Sequence, residues 1–118
     1  MKKFEIVKES NEFETIINSG KSIKNNIFVI YYLNHDVTFP KFGLAVGKKI
    51  GNAVTRNKYK RILRNIIDEN KFLFKNEYDY IIILKRNCLE LSYEQLKDNF
   101  SKLIKEKLWK KSSAVSFY

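Results

Sequence analysis

The sequence predicts a single α+β domain in which helices pack on a small β-sheet. Three observations predict it. Apolar residues recur at helical spacing in three segments, short runs of β-branched and aromatic residues lie between them, and the order along the chain is helix, strands, helix, strand, helix. The chain has 118 residues, a usual size for one domain, and its nine Phe, seven Tyr and one Trp are enough for one core. With one Pro and four Gly it shows no linker and no low-complexity stretch. One domain over residues 1–118 is expected, with 112–118 as a frayed tail.

Each element has its own local reason. Ser10 or Asn11 caps a first helix with Phe13, Ile16 and Ile17 on one face, and Gly20 stops it. Ile27 to Leu33 is β-branched and aromatic and reads as a strand; its alternation puts Ile27, Val29, Tyr31 and Leu33 on one face. Asn34 to Pro40 is a turn-rich connection. Phe42 to Gly47 is a second strand whose two Gly suggest a bulge or a close contact. Asn52 is a good N-cap for a helix with Tyr59, Ile62, Leu63, Ile66 and Ile67 on its apolar stripe. Asp79 to Lys85 is a strand whose centre, Tyr80 to Leu84, reads as buried on both faces. Ser92 and Gln95 form a capping-box pattern with Leu91 and Leu96 as a hydrophobic staple, opening a last helix that turns Leu96, Phe100, Leu103, Ile104 and Leu108 inward.

Charge gives the first functional constraint. Twenty-three Lys and Arg against thirteen Asp and Glu leave a net charge of +10. Such a field attracts polyanions: nucleic acid, acidic membrane or acidic protein. Apolar runs such as Ile81 to Leu84 are far short of the ~20 residues of a helical membrane span, and the charged N-terminus lacks the apolar centre of a signal peptide. A soluble cytoplasmic protein is expected. Cys88, alone, forms no internal disulfide and no zinc cluster, and reads as a partly buried small hydrophobe.

The positive charge is concentrated. No acidic residue lies between Asp36 and Asp68, and Lys41, Lys48, Lys49, Arg56, Lys58, Lys60, Arg61 and Arg64 all fall in that gap. A solvated helix normally mixes signs, because acid–base pairs four residues apart support it. This helix lacks those pairs. At ~100° per residue, Arg56, Lys60 and Arg64 form one row, Asn57, Lys58 and Arg61 continue round the far side, and Tyr59, Ile62, Leu63 and Ile66 lie opposite. One face docks on the sheet; the other presents cations. Arg grips phosphate with a planar fork and Lys acts as a point charge. Lys48-Lys49-Ile50-Gly51-Asn52 leads into a helix N-terminus, whose free N–H groups favour anions. The pattern favours nucleic acid over an ordinary solvated face, and over a lipid surface, because the core needs the apolar face.

The run from Gly43 to Arg64, with Gly47-Lys48-Lys49-Ile50-Gly51-Asn52-Ala53-Val54-Thr55-Arg56-Asn57-Lys58 at its centre, resembles the signature of the bacterial ribonuclease P protein component. The resemblance extends to Glu12-Phe13 and Gly20, Phe28 to Tyr31, Asp79 to Ile82, and Leu91 to Glu94. The family's usual Arg-Asn-Arg core reads Arg56-Asn57-Lys58 here, which keeps the charge. The resemblance implies a four-stranded sheet with three helices in the order αβββαβα and a left-handed βαβ crossover at the basic helix, similar to the second domain of ribosomal protein S5. It implies the protein subunit of an endoribonuclease that removes the 5′ leader of precursor tRNA, with the chemistry in a catalytic RNA. Carried over, Lys48, Lys49, Asn52, Arg56, Asn57, Lys58 and Arg61 would bind the RNA subunit. Phe13, Ile17, Val29, Tyr31, Lys60 and Arg64 would line or edge a cleft for the precursor-tRNA leader. The expected partners are the catalytic RNA and precursor tRNA, with no membrane, as a monomer in a one-protein, one-RNA complex. No cofactor is expected in the protein, and Mg2+ is expected through the RNA.

The residues alone leave the cleft open. Aromatics beside cations suit single-stranded nucleic acid, but Phe13 on an apolar stripe and Tyr31 on a sheet face also read as packing. No nuclease machinery is visible. His35, the only histidine, reads as a solvated loop residue, and Glu12 with Glu14 or Asp68 with Glu69 reads as solvated helix charge. No catalytic residue and no metal ligand is therefore expected. The competing reading is a structural or chaperone RNA-binding protein such as a ribosomal protein.

Overall fold

The computed structural model describes residues 6–7, 10–35 and 39–109. The expected frayed tail at 112–118 lies outside these residues. The elements are α1 (Ser10–Ser19), β1 (Lys21–Lys24), β2 (Phe28–Asn34), β3 (Lys41–Val46), α2 (Ala53–Glu69), β4 (Tyr78–Leu84) and α3 (Tyr93–Leu103). A turn of π-helix, Ile104–Trp109, continues α3. The order is αβββαβα, as the resemblance implies. Periodicity alone misses β1, because Lys21-Ser22-Ile23-Lys24 offers a single apolar side chain.

The sheet order is β1-β2-β4-β3. β2 pairs antiparallel with β1 and β4, while β3 runs parallel to β4, so α2 is the crossover between two adjacent parallel strands. The hand of that crossover follows from one residue. Phe42 turns its side chain into the core beneath α2, and its carbonyl accepts from Val7 N (2.9 Å) on the edge away from β4. Seen from the α2 side with β3 running upward, an L-residue facing the viewer turns its carbonyl to the right, so β4 lies to the left. A crossover that passes in front and moves left is left-handed, the rare hand for βαβ units.

Each sheet face buries its own layer. Phe28, Ile30, Tyr32, Phe42, Tyr80 and Ile82 meet Leu63, Ile66 and Ile67 of α2 and Leu96, Phe100 and Leu103 of α3. Edge-on rings knit this layer together, Phe28 with Phe100 (centroids 5.1 Å) and Phe74 with Tyr80 (4.8 Å). The buried Tyr80 hydroxyl accepts from Lys75 N (2.9 Å) and donates to Lys75 O (3.2 Å), so its burial strands no polar group. On the other face, Ile16 of α1 and Val7 cover Ile81, with Phe13, Tyr31, Leu33 and Ile83 packed around them.

The helix signals are realised at their termini. Asn52 Oδ1 accepts from Thr55 N at 3.0 Å, and Ser92 and Gln95 close the capping box. The C-terminal end of α2 is clamped to α3: Glu69 takes a hydrogen bond from Tyr93 (2.5 Å) and pairs with Lys97.

Four expectations need correction. Ile27 lies before β2 and packs in the α2–α3 core instead of sharing a face with Val29. His35 is not a solvated loop residue: Nδ1 lies 2.5 Å from Asp79 Oδ1 and Nε2 lies 2.7 Å from Asn76 O, tying the end of β2 to the start of β4. Ile17, placed on the α1 stripe, is 36% exposed, because only Ile16 of that pair points at the sheet. Cys88 is fully buried rather than partly so, and burial pushes its thiol up to about 11.

Candidate nucleic-acid interface

The basic helix divides into two surfaces. Leu63, Ile66 and Ile67 are buried on the sheet, and Asn57, Lys58 and Arg61 are exposed on the outer face. Between them runs the row of Arg56, Lys60 and Arg64, which meets two settings. Arg56 is half-buried, and its Nε is buried without a hydrogen-bond partner among the described residues. A buried unsatisfied donor is costly, and an incoming phosphate oxygen would satisfy it. Lys60 and Arg64 instead turn to the β3 edge.

There they meet α1. A cavity of about 180 Å³ is lined by Ile6, Val7, Phe13, Phe42, Leu44, Lys60 and Arg64. The structure thus brings three of the six residues expected at a leader cleft into one lining, although Phe13 and Arg64 are fifty-one positions apart in the chain. Phe13 is half-buried, and its ring lies on Gly43 of β3. A Cβ at Gly43 would stand 2.7 Å from Phe13 Cζ and 2.6 Å from Ile81 Cδ1, so the glycine makes room for the ring. Tyr31, opposite Ile81 in the register, packs beside Phe13 on the same sheet face. Val29, opposite Ile83, is one row further on and half-buried, and the exposed Ile17 follows Phe13 by four residues on α1. Packing and exposure coexist: Phe13 and Tyr31 support the fold with one side and are open on the other.

The approach to α2 forms a second concavity. Gly47, Lys48, Lys49 and Ile50 follow β3, and Lys85 and Arg86 follow β4. Because the strands are parallel, both exits fall at the same end of the sheet, and the six residues with Ile83 and Leu84 line a cavity of about 600 Å³. Lys85 Nζ donates to Asn25 O (2.8 Å). Lys85 and Arg86 are the basic residues that sequence reasoning missed. Their signal is topological: a basic pair directly after a strand matters only once that strand is known to run beside β3. Gly51, with φ +155°, allows the sharp entry from this approach into α2.

Among the described residues no group of three or more His, Cys, Asp or Glu could hold a metal ion, and no helix is long and apolar enough to cross a membrane. A left-handed βαβ domain with an ordered cationic helix, an aromatic groove at its edge and a second basic concavity defines an RNA-binding protein. A sequence profile of the family described as Ribonuclease P matches residues 1–108. The ribonuclease P protein component of Mycoplasma mycoides is 45% identical over 90% of this chain and 98% of its own. That of Halalkalibacterium halodurans is 44% identical over 82% of each chain. The solved RNase P protein of Staphylococcus aureus superposes with a TM-score of 0.79 at 29% identity, covering 86% of this chain and 93% of that one. The chain belongs to the bacterial ribonuclease P protein family. It is the protein subunit of an endoribonuclease whose partner is the ribonuclease P RNA, which rules against the ribosomal-protein alternative.

Proposed function

We propose that this subunit uses its two surfaces for two RNAs. The outer face of α2 and its approach (Lys48, Lys49, Asn52, Arg56, Asn57, Lys58 and Arg61) hold the catalytic RNA. The groove between α1 and the sheet (Phe13, Ile17, Val29 and Tyr31, edged by Lys60 and Arg64) holds the single-stranded 5′ leader of precursor tRNA. The observation that carries this reading is the cavity in which an aromatic ring meets two cations at the β3 edge. Any base stacks on an aromatic face, and cations beside it track the backbone, which is how single strands are held without sequence readout.

Cleavage itself belongs to the RNA and the Mg2+ it binds; the protein holds no cofactor of its own. The protein positions the leader and neutralises phosphate, lowering repulsion between two polyanions. It acts as one copy on one RNA, in the cytoplasm.

The test is discrimination. Phe13→Ala and Tyr31→Ala, assembled with the RNA subunit, are expected to weaken precursor tRNA by roughly fivefold per stacked base at the lower end of stacking energies, and mature tRNA hardly at all. Equal losses for both tRNAs, with the folded state intact by circular dichroism, would remove the leader groove.

A further inference from the structure

The leader groove, on the reading proposed above, has one cationic edge, Lys60 and Arg64 beside β3. The sheet register reveals a second at the opposite side. β1 pairs with β2 so that Ser22 faces Tyr31 and Lys24 faces Val29. Residues directly opposite in a pair point to the same face. Ser22 and Lys24 therefore rise on the α1 face of the sheet. The parity is checked by Ile23, which faces Ile30 and is buried with it in the other core.

Following one row across the sheet gives Lys24, Val29, Ile83 and Ala45, from β1 through β2 and β4 to β3. The last three are each partly open, whereas the neighbouring row holds the fully buried Ile81 beneath α1. The half-open apolar row is a floor beside the α1 wall. Lys24 and Ser22 are exposed at its end, and among the described residues the Lys24 ammonium has no acidic or hydrogen-bonding partner. At ~4.8 Å between strands the floor spans roughly 15 Å, long enough for a strand of several nucleotides to meet cations at both ends.

We infer that Lys24, with the Ser22 hydroxyl beside it, is a second anchor for the leader: it pairs with a backbone phosphate of leader nucleotides that have crossed the sheet from Lys60 and Arg64 to the β1 edge. The ligand is single-stranded RNA backbone, held without base readout. Longer leaders gain this contact and short ones do not reach it.

The experiment uses the assembled protein–RNA enzyme and precursor tRNAs with leaders of graded length, with affinity measured over a range of salt. Lys24→Ala is expected to weaken long-leader precursors roughly three- to tenfold and to reduce their salt slope by about 1. It leaves short-leader precursors and mature tRNA unchanged, and Lys24→Arg restores the long-leader affinity. Phe13→Ala is run in parallel. If Phe13→Ala still shows a leader-specific loss while Lys24→Ala weakens all lengths equally or none, the second anchor is wrong and the groove stands. If Phe13→Ala shows no leader-specific loss either, the groove reading fails and takes the anchor with it.

Discussion

Gly43 shows how much a single position settles. It lies in a strand, where glycine is unfavourable, yet the ring of Phe13 and the Cδ1 of Ile81 occupy the space a Cβ would need. Gly43→Ala is expected to destabilise the fold by about 1–3 kcal/mol through overpacking. It would also displace Phe13, so discrimination between precursor and mature tRNA should fall more than affinity for the RNA subunit. Denaturant unfolding and the two binding measurements together check this. The sequence announces a close contact near Gly43 but does not say with what; the partner lies thirty positions away. Gly47, read with the same suspicion, faces open space. His35 reads as solvated in the sequence for a related reason: its partners Asp79 and Asn76 become neighbours only when β4 pairs with β2.

Elements were legible where their signals are local. The caps of α2 and α3 are each formed within four residues, so Asn52, Ser92 and Gln95 declare themselves. Asn52→Ala is expected to cost about 1 kcal/mol, read as a lower midpoint of chemical unfolding with an unchanged slope. The clamp between α2 and α3 is not local, so Glu69 reads as solvated charge in the sequence. The hydrogen bond from Lys97, then that from Tyr93, holds the Glu69 carboxyl below its ordinary 4.5. A lowered folded value means a contribution that is present above the ordinary carboxylate range and lost as pH falls through the lowered value. Thermal unfolding of the wild type and Glu69→Gln should therefore differ most near neutrality and converge in acid. The effect is small because the group is solvent-exposed. β1 stayed invisible to periodicity because an edge strand with Lys at both ends needs only one buried side chain, Ile23.

At the scale of the molecule, the left-handed crossover gives the two proposed RNA surfaces their relation. It lays α2 along the β3 edge, so that one row of the helix reaches the α1 groove while the next faces solvent. The helical wheel separates those rows, but only the sheet order shows that the first meets Phe13. The same parallel pairing brings Lys85 and Arg86 to Lys48 and Lys49. All of these are binding features, and the division of labour they imply is open to direct measurement. The purified protein, its catalytic RNA and precursor tRNA are combined at low magnesium, and 5′ leader release is followed. Protein with RNA should cleave far faster than RNA alone, and protein alone should not cleave. Leader release by the protein without RNA, or no stimulation of the RNA by the protein, would contradict it.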